Sequence, residues 1–504
     1  MTWSRWRRIR QISQIAFFAL FVYLLFAALP QQAAFPFADL FFRFDPLAAL
    51  GAMLSSREWI PRLALALVTL ALTLVLGRVW CGWVCPMGTL LEWVHFPSAP
   101  KRTVKLSPHW RSVKYFILLV ILAAALMGNL SLMVLDPLTI FTRTMTTAIL
   151  PGLNYVVTSI EKILYPVSFL QPLLDGMEGL LRGSILPQKQ QVFDQNLFIV
   201  ALFIGILALN ALAHRFWCRY LCPLGALLGL ASKVAILRPV IGLACTQCGE
   251  CDNACSVDAI SKQEGYEIVP ADCIVCMDCL AACPQQEAGF SLSWHPDPLR
   301  DYDPTRRQVL GAFAASAVGI VMLRTGVQLK QPYSLLLRPP GVRNEQDFLS
   351  RCLRCSQCMK VCPTSGLQPT FAEAGLEALW TPRLMPRLGY CDYGCNACGQ
   401  VCPSGAIPAL DLETKRKAII GLAVVDRNRC LPWARGVTCI VCEEMCPMPE
   451  KAIRLEEAEM PDGRGNPIVV QRPHVLQDLC IGCGICQRQC PVDGEAAIQV
   501  YRRT

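Results

Sequence analysis

Histidine is almost missing from this sequence, with five in 504 residues. Only His214 lies beside an apolar run, and His95 and His109 read as interfacial, which argues against a haem b held by two intramembrane histidines. Charge is also scarce, at 17% of residues, and there are no long polar tracts, so a largely disordered chain is excluded. No glycine-rich phosphate loop, C-x-x-C-H haem attachment or H-E-x-x-H zinc helix occurs, so nucleotide hydrolysis, c-type haem and zincin chemistry drop out. The net charge of +9 is not gathered into a basic stripe with interleaved aromatics, which leaves nucleic acid without a footprint. What the chain does hold is 53% hydrophobic residues and 28 cysteines.

Four apolar stretches, near 12–29, 63–80, 115–135 and 196–213, approach the roughly 20 residues that cross a hydrocarbon core about 30 Å thick. Arg5, Arg7, Arg8 and Arg10 precede the first, and Lys101, Arg102, Lys105, Arg111 and Lys114 separate the second from the third. By the positive-inside rule those segments are expected to be cytoplasmic, with the loops at 30–61 and 136–195 opposite. The second of these loops is long enough for an interfacial helix. A fifth run, 305–323, has Arg306 and Arg307 before small and apolar residues, the pattern of a twin-arginine export signal. A buried helix with two chance arginines is its plainer alternative. On the export reading, everything after about 325 is periplasmic.

The cysteines fall into seven sets of four. Four sets follow C-x2-C-x2-C-x3-C: Cys245, Cys248, Cys251 and Cys255; Cys273, Cys276, Cys279 and Cys283; Cys352, Cys355, Cys358 and Cys362; and Cys480, Cys483, Cys486 and Cys490. Cys391, Cys395, Cys398 and Cys402 open with a longer gap, and Cys430, Cys439, Cys442 and Cys446 with a much longer one. Thiolates spaced this way converge on one [4Fe–4S] cluster, and the proline after the fourth cysteine turns the chain away, as at Pro284, Pro363, Pro403, Pro447 and Pro491. Zinc more often uses separated C-x-x-C pairs, and disulfides between cysteines this close are strained. Six clusters are expected. In two-cluster ferredoxins the fourth cysteine ligates the other cluster, so Cys283 should join Cys245, Cys248 and Cys251, and Cys255 should join Cys273, Cys276 and Cys279. The last four runs could exchange as neighbours or nest first with fourth.

The seventh set lies in a repeat: "RVWCGWVCPMGTLL" from Arg78 and "RFWCRYLCPLGALL" from Arg215, 137 residues apart, each preceded by Asp-Pro-Leu at Asp45 or Asp136. Membrane repeats of this kind often build a site at their interface. Two helical C-x3-C pairs would place Cys81, Cys85, Cys218 and Cys222 together at the cytoplasmic edge. A metal or iron–sulfur cluster, a redox dithiol and inert structural thiols are the alternatives. Arg78 and Arg215 would offset the charge of such a cofactor, or simply snorkel. Asp45 and Asp136, near the opposite face, are candidate acceptors of quinol protons, or helix-ending turns.

With these motifs, residues 1–300 resemble the NapH type of membrane ferredoxin, and the chain from the twin arginines onward resembles the exported NapG and MauM type, including the long first gap of the Cys430 run. The Cys391 spacing departs slightly from that family's. The resemblance implies a NapH–NapG fusion in a bacterial inner membrane that passes electrons from quinol to a periplasmic reductase or cytochrome within a larger complex. The expected fold is an α-helical polytopic membrane module (1–236), an α+β two-cluster ferredoxin (237–300, cytoplasmic), a twin-arginine segment that is also a fifth span (301–330), and a four-cluster polyferredoxin (331–504, periplasmic). Rival functions are a transmembrane wire fed by a cytoplasmic low-potential donor, and redox sensing or metalloenzyme maturation.

Overall fold

The computed structural model describes residues 3–27, 37–94, 109–182, 186–187, 190–242, 244–261, 266–292, 306–325, 334–371, 373–461 and 467–502. His95, the basic loop at Lys101, Arg102 and Lys105, and the segment before the twin arginines lie outside the described residues.

The amino-terminal half is helical, and its duplicated unit is visible in the backbone. Helix α1 (Trp3–Ala27) leads to α2 (Leu40–Arg43) and α3 (Pro46–Ser56). Helix α3 starts where it does because Asp45 accepts the Leu47 and Ala48 N–H groups, while Pro46 fills a first-turn position that needs no donor. Helix α4 (Ala66–Leu76), a π-helical turn (Trp80–Val84) and α5 (Pro86–Trp93) complete the first copy. The second copy repeats the sequence of parts. It comprises α6 (His109–Leu126), α7 (Pro137–Thr144) capped by Asp136, α8 (Leu150–Leu164), α9 (Gln171–Leu181), α10 (Asn196–Ala208), a π-helical turn (Trp217–Leu221) and α11 (Pro223–Ser232). Helices α8 and α9 occupy the long loop where an interfacial helix was expected.

Phe21, Phe41, Phe141 and Phe203 meet in the core of this module. Apolar side chains on α4 and α10, among them Leu67, Leu72, Leu197 and Ile204, point outward instead. Among the described residues one helix, Ser4–Ala27, is long and apolar enough to cross a membrane. Two of the other expected spans form shorter helices that include a 3-10 turn, Pro61–Leu76 and Asn196–Ala211.

The next unit, where two clusters were expected, is α+β. Strand β1 (Leu237–Ile241), α12 (Glu250–Ala254), β2 (Ile260–Ser261), β3 (Glu267–Ile268), α13 (Asp278–Ala282) and β4 (Ala288–Leu292) form two antiparallel pairs, β1 with β4 and β2 with β3. Helix α14 (Arg306–Thr325), which carries the twin arginines, packs along α6, and the Ser316 hydroxyl donates to the Val120 carbonyl at 3.1 Å.

The carboxy-terminal unit contains α15 (Glu345–Arg351), α16 (Gln357–Lys360), β5 (Leu367–Pro369), β6 (Pro382–Leu384), α17 (Ala397–Gln400), α18 (Leu412–Lys417) and β7 (Leu422–Val425). It continues with α19 (Val441–Glu444), β8 (Ile453–Pro461), β9 (Pro467–Val475), α20 (Ile485–Gln489) and β10 (Ile498–Tyr501). Its strands pair antiparallel as β5 with β6, β7 with β10 and β8 with β9.

These two units sit at opposite ends of α1. At one end Arg7 pairs with Asp278 at 2.9 Å, and at the other the Lys360 ammonium reaches the Leu24 carbonyl at 3.4 Å. At helical rise, the stretch between Arg7 and Leu24 is about 25 Å long.

Candidate metal centres

Each regular cysteine run adopts one backbone form. The residue before its second cysteine and the residue after it are both left-handed: Gln247 and Gly249, Val275 and Met277, Arg354 and Ser356, Gly482 and Gly484. This pair of reversals curls the loop around a concave space and turns N–H groups inward. The third cysteine then enters the first turn of α12, α13, α16 or α20. Val275, β-branched at φ 54°, is in a conformation that such a side chain strongly disfavours. N–H groups close on the sulfurs, from Ala259 to Cys255 at 3.2 Å and from Ala497 to Cys490 at 3.4 Å.

The irregular runs solve the same problem differently. Asp392 accepts the Gly394 N–H at 2.8 Å in a turn that absorbs the extra residue of the Cys391 run. A π-helical turn (Leu431–Arg435), closed by left-handed Gly436, fills the long gap after Cys430.

The thiols gather in crossed sets of four. Cys245, Cys248 and Cys251 line a cavity of about 380 Å³ with Cys283, and Cys273, Cys276 and Cys279 line one of about 370 Å³ with Cys255, the exchange expected from the sequence. In the carboxy-terminal unit the exchange is between neighbours. Cys430, Cys439 and Cys442 share about 390 Å³ with Cys490, and Cys480, Cys483 and Cys486 share about 330 Å³ with Cys446. Cys402 stands beside Cys352, Cys355 and Cys358, and Cys362 beside Cys391, Cys395 and Cys398. The Cys391 N–H donates to the Cys483 carbonyl at 2.8 Å and joins the two halves of the unit. The four sets therefore run in order from Cys355, packed into the helical module's core, to Cys439 at the far end.

Among the described residues no His, Cys, Asp or Glu side chains converge closely enough to hold a single metal ion. Thiols spread around such spaces fit an iron–sulfur cluster and not one zinc ion. Burial pushes the Cys391 and Cys442 thiols up to about 12 and Cys483 up to about 11, so these groups become thiolates only when iron displaces their protons.

The repeat brings Cys81, Cys85, Cys218 and Cys222 together. The local geometry differs from two thiols on one helix face. Cys81 and Cys218 lie inside the π-helical turns, and Cys85 and Cys222 are extended junctions before Pro86 and Pro223, because proline blocks continuation of the preceding turn. Arg78 and Arg215 do not snorkel; both are buried. Arg78 of the first copy comes 2.8 Å from where a Cβ on Gly225 of the second would stand, and its Nη2 is 3.9 Å from Cys81 Sγ. Arg215 crosses the other way, to Gly88 and Glu92. Cys81 also packs against the small apolar cluster of Val257, Ala259, Ile274 and Cys276 in the unit that follows.

Asp45 and Asp136 meet at the other end of the module. Their Asp-Pro turns start helices rather than end them: Asp45 Oδ1 accepts the Leu47 N–H and Asp136 Oδ2 the Thr139 N–H, both at 2.8 Å. The carboxyl groups come within hydrogen-bond reach of each other, and Asp45 Oδ2 and Asp136 Oδ1 have no other donor among the described residues. His214 is turned to the Ser256 carbonyl at 3.3 Å.

Sequence reasoning missed Glu92, which binds Arg10 at 2.9 Å and Arg215, and Arg143 and Trp380, which stack on one another. A lone acid in "TLLEWV" and a lone base in "LTIFTRTMTT" were the available signals.

The model of a 4Fe-4S binding domain family matches residues 59–105 and 195–243, the two segments that hold the repeated cysteine motif. A second 4Fe-4S binding domain model matches 473–494. The methylamine utilization ferredoxin-type protein MauM of Methylorubrum extorquens is 37% identical over 209 residues, 40% of this chain and 90% of that protein. MauM of Paracoccus denitrificans is 40% identical over 209 residues, covering 40% of this chain and 88% of that protein. The ferredoxin-type protein NapG of Escherichia coli is 36% identical over 203 residues, 39% of this chain and 84% of that protein. No solved structure matches the chain.

Proposed function

The chain belongs to the ferredoxin-type family of the MauM and NapG proteins, and from that premise we propose that it is a multi-pass inner-membrane protein relaying electrons from membrane quinol to a periplasmic reductase or cytochrome. In this reading residues 1–236 are a NapH-like membrane module, the unit from 237 is cytoplasmic and the unit from 331 is periplasmic. The observation that carries it is the placement of the two ferredoxin units at opposite ends of α1, about 25 Å apart along a helix suited to a hydrocarbon core about 30 Å thick. The outward-facing apolar side chains of α4 and α10 support the same placement.

Six crossed sets of cysteines would each hold a [4Fe–4S] cluster, which takes up and passes on one electron at a time. The chain's own part is to bury the thiols, aim N–H groups at them and line the sets up away from the module. Asp45 and Asp136, hydrogen-bonded to one another, offer buried carboxyl groups to which a quinol would release protons.

A second reading, the transmembrane wire, is favoured by the packing of Cys81 against the cluster of Val257, Ala259, Ile274 and Cys276, on which Cys255 and Cys273 also pack. It makes the membrane thiol set the step between the inner clusters and the bilayer. The test is to mix the cluster-replete protein anaerobically with menaquinol or ubiquinol analogues and follow reduction by low-temperature EPR. Reduction blocked by a quinone-site inhibitor is expected. Silence toward quinol, with reduction by a low-potential ferredoxin, would replace the first reading by the second.

A further inference from the structure

Arg143 is a fully buried charge of the helical module. It is 0% exposed, and none of its three guanidinium nitrogens has a hydrogen-bond partner among the described residues. A buried guanidinium left this way is strongly destabilising, so its N–H groups call for an oxygen that the described protein does not supply. The surroundings say which kind. Thr142 and Thr146, about one turn apart along the same stretch of chain, also have buried hydroxyls without partners. Asp136 is near enough to act on the Arg143 charge, and its carboxyl group shares a hydrogen bond with that of Asp45. The neighbourhood therefore wants a molecule that both accepts and donates hydrogen bonds. A phosphate or other anion would meet Arg143 but would be repelled by the carboxyl pair.

The approach to this place is aromatic. The guanidinium stacks on Trp380 of the carboxy-terminal unit, 3.9 Å from its ring centroid, and Trp380 in turn packs on Phe198 at 5.9 Å. Phe198 is half exposed on α10, beside Leu197 on the module's apolar exterior. On the far side, Arg143 is near Cys355, a thiol of the set nearest the module. Helix α16, which bears Cys358 of that set, packs on the π-helical turn (Met145–Ile149) that follows α7.

We propose that Arg143 binds an oxygen of a quinone or hydroquinone head group at the seam between the helical module and the four-set unit, with Thr142, Thr146 and the Asp45–Asp136 pair completing its hydrogen bonds and Trp380 holding the guanidinium in place. This assignment rests on the quinol reading above and locates it. A planar ring with oxygens at both ends suits donors and acceptors facing each other, and an isoprenoid tail suits the apolar path past Phe198. Arg143 is here a binding residue, and Trp380 a positioning residue that acts through it.

The test uses the full-length, cluster-replete protein in lipid nanodiscs with a short-chain azido-quinone. Photolabelling should be saturable, competed by unlabelled quinone, and mapped to residues 137–149 or to Trp380. A hydrogen bond to a charged donor contributes about 1.5–3 kcal/mol, so Arg143→Gln should weaken labelling affinity about 10- to 100-fold. Arg143→Lys should recover part of it, and Trp380→Phe should weaken it less. Thr142→Val, which keeps shape and leaves the buried charge alone, provides a variant that folds if Arg143→Gln does not; it should weaken labelling about 3- to 10-fold. Unchanged affinity in these variants, or label mapped elsewhere, overturns the site. Quinol reduction of the clusters, followed separately by EPR, distinguishes the failures: if it persists equally in Arg143→Gln, the site alone is wrong, and if the wild type shows none, the quinol reading falls with it.

Discussion

Trp83 donates its indole N–H to the backbone carbonyl of Val275 at 2.9 Å. The donor belongs to the first C-x3-C motif of the helical module and the acceptor to the left-handed position of a ferredoxin loop, so one bond fixes two cysteine sets relative to each other. Next to it, Gly82 leaves no room for a side chain, because a Cβ would stand 2.2 Å from the Ile274 carbonyl.

Gly82→Ala should therefore push the unit from 237 off the module, whereas Trp83→Phe removes one hydrogen bond of about 1 kcal/mol. Amide exchange over residues 270–277 is the measurement. Strong loss of protection in Gly82→Ala and mild loss in Trp83→Phe is expected; equal protection in all three proteins would show that this contact does not hold the units together.

Crossed ligation gives each fourth cysteine a distant effect. Cys490→Ser should expose Cys430, Cys439 and Cys442 to alkylation and leave Cys480, Cys483 and Cys486 protected, while Cys446→Ser should do the reverse. Mass spectrometry of the alkylated cysteines reads this directly, and reactivity confined to the mutated run would refute the crossing.

The thiols of the repeat make a separate claim on iron. Cys81→Ser should lower iron and sulfide per chain by the content of one cluster if Cys81, Cys85, Cys218 and Cys222 hold one, and leave both unchanged if they act as dithiols. Gly225→Ala should move the flexible end of Arg78 rather than unfold the site, since the added Cβ meets Nη2 at 2.8 Å. Taking that positive charge away should lower the midpoint potential of a cluster there, a shift visible in an EPR-monitored titration.

Burial alone would raise the Glu92 carboxyl, but Arg215 and Arg10 beside it hold it down to about 2. Its contribution to stability is thus complete above its unfolded pKa and disappears as pH falls through the folded one. Glu92→Gln should lower the thermal midpoint by the same amount from about pH 8 to about pH 5, with the gap closing below that. A gap that widens on acidification would mean that Glu92 is not the anchor of the two arginines.

Much of this arrangement was legible in the chain because ligand spacing is a local property. The regular runs name their own loop, since two residues between cysteines leave room for one pair of left-handed positions. The crossing of Cys283 and Cys255 followed from the same rule. Neighbour exchange among Cys362, Cys402, Cys446 and Cys490 was not readable, because it depends on how β7 and β10 close the last unit around its sets. The C-x3-C pairs read as helical turns of ordinary pitch; the prolines after Cys85 and Cys222 end each turn in a π-helical form instead. Arg143 and Trp380 were beyond reach for a plainer reason. They are far apart in sequence, neither belongs to a motif, and only the docking of the carboxy-terminal unit makes them neighbours.

The exchanged arginines of the repeat carry a consequence for ancestry. Arg78 reaches Cys81 of its own half and Gly225 of the other, and Arg215 reaches Gly88, so the two halves enclose one shared set of thiols. A shorter forerunner with one copy of the unit would have completed that set only with a second molecule of itself. Duplication and fusion would then have turned a homodimer into a single chain, freeing each half to diverge toward its own neighbours: Glu92 for one arginine, and the Ala271 carbonyl at 2.8 Å for the other.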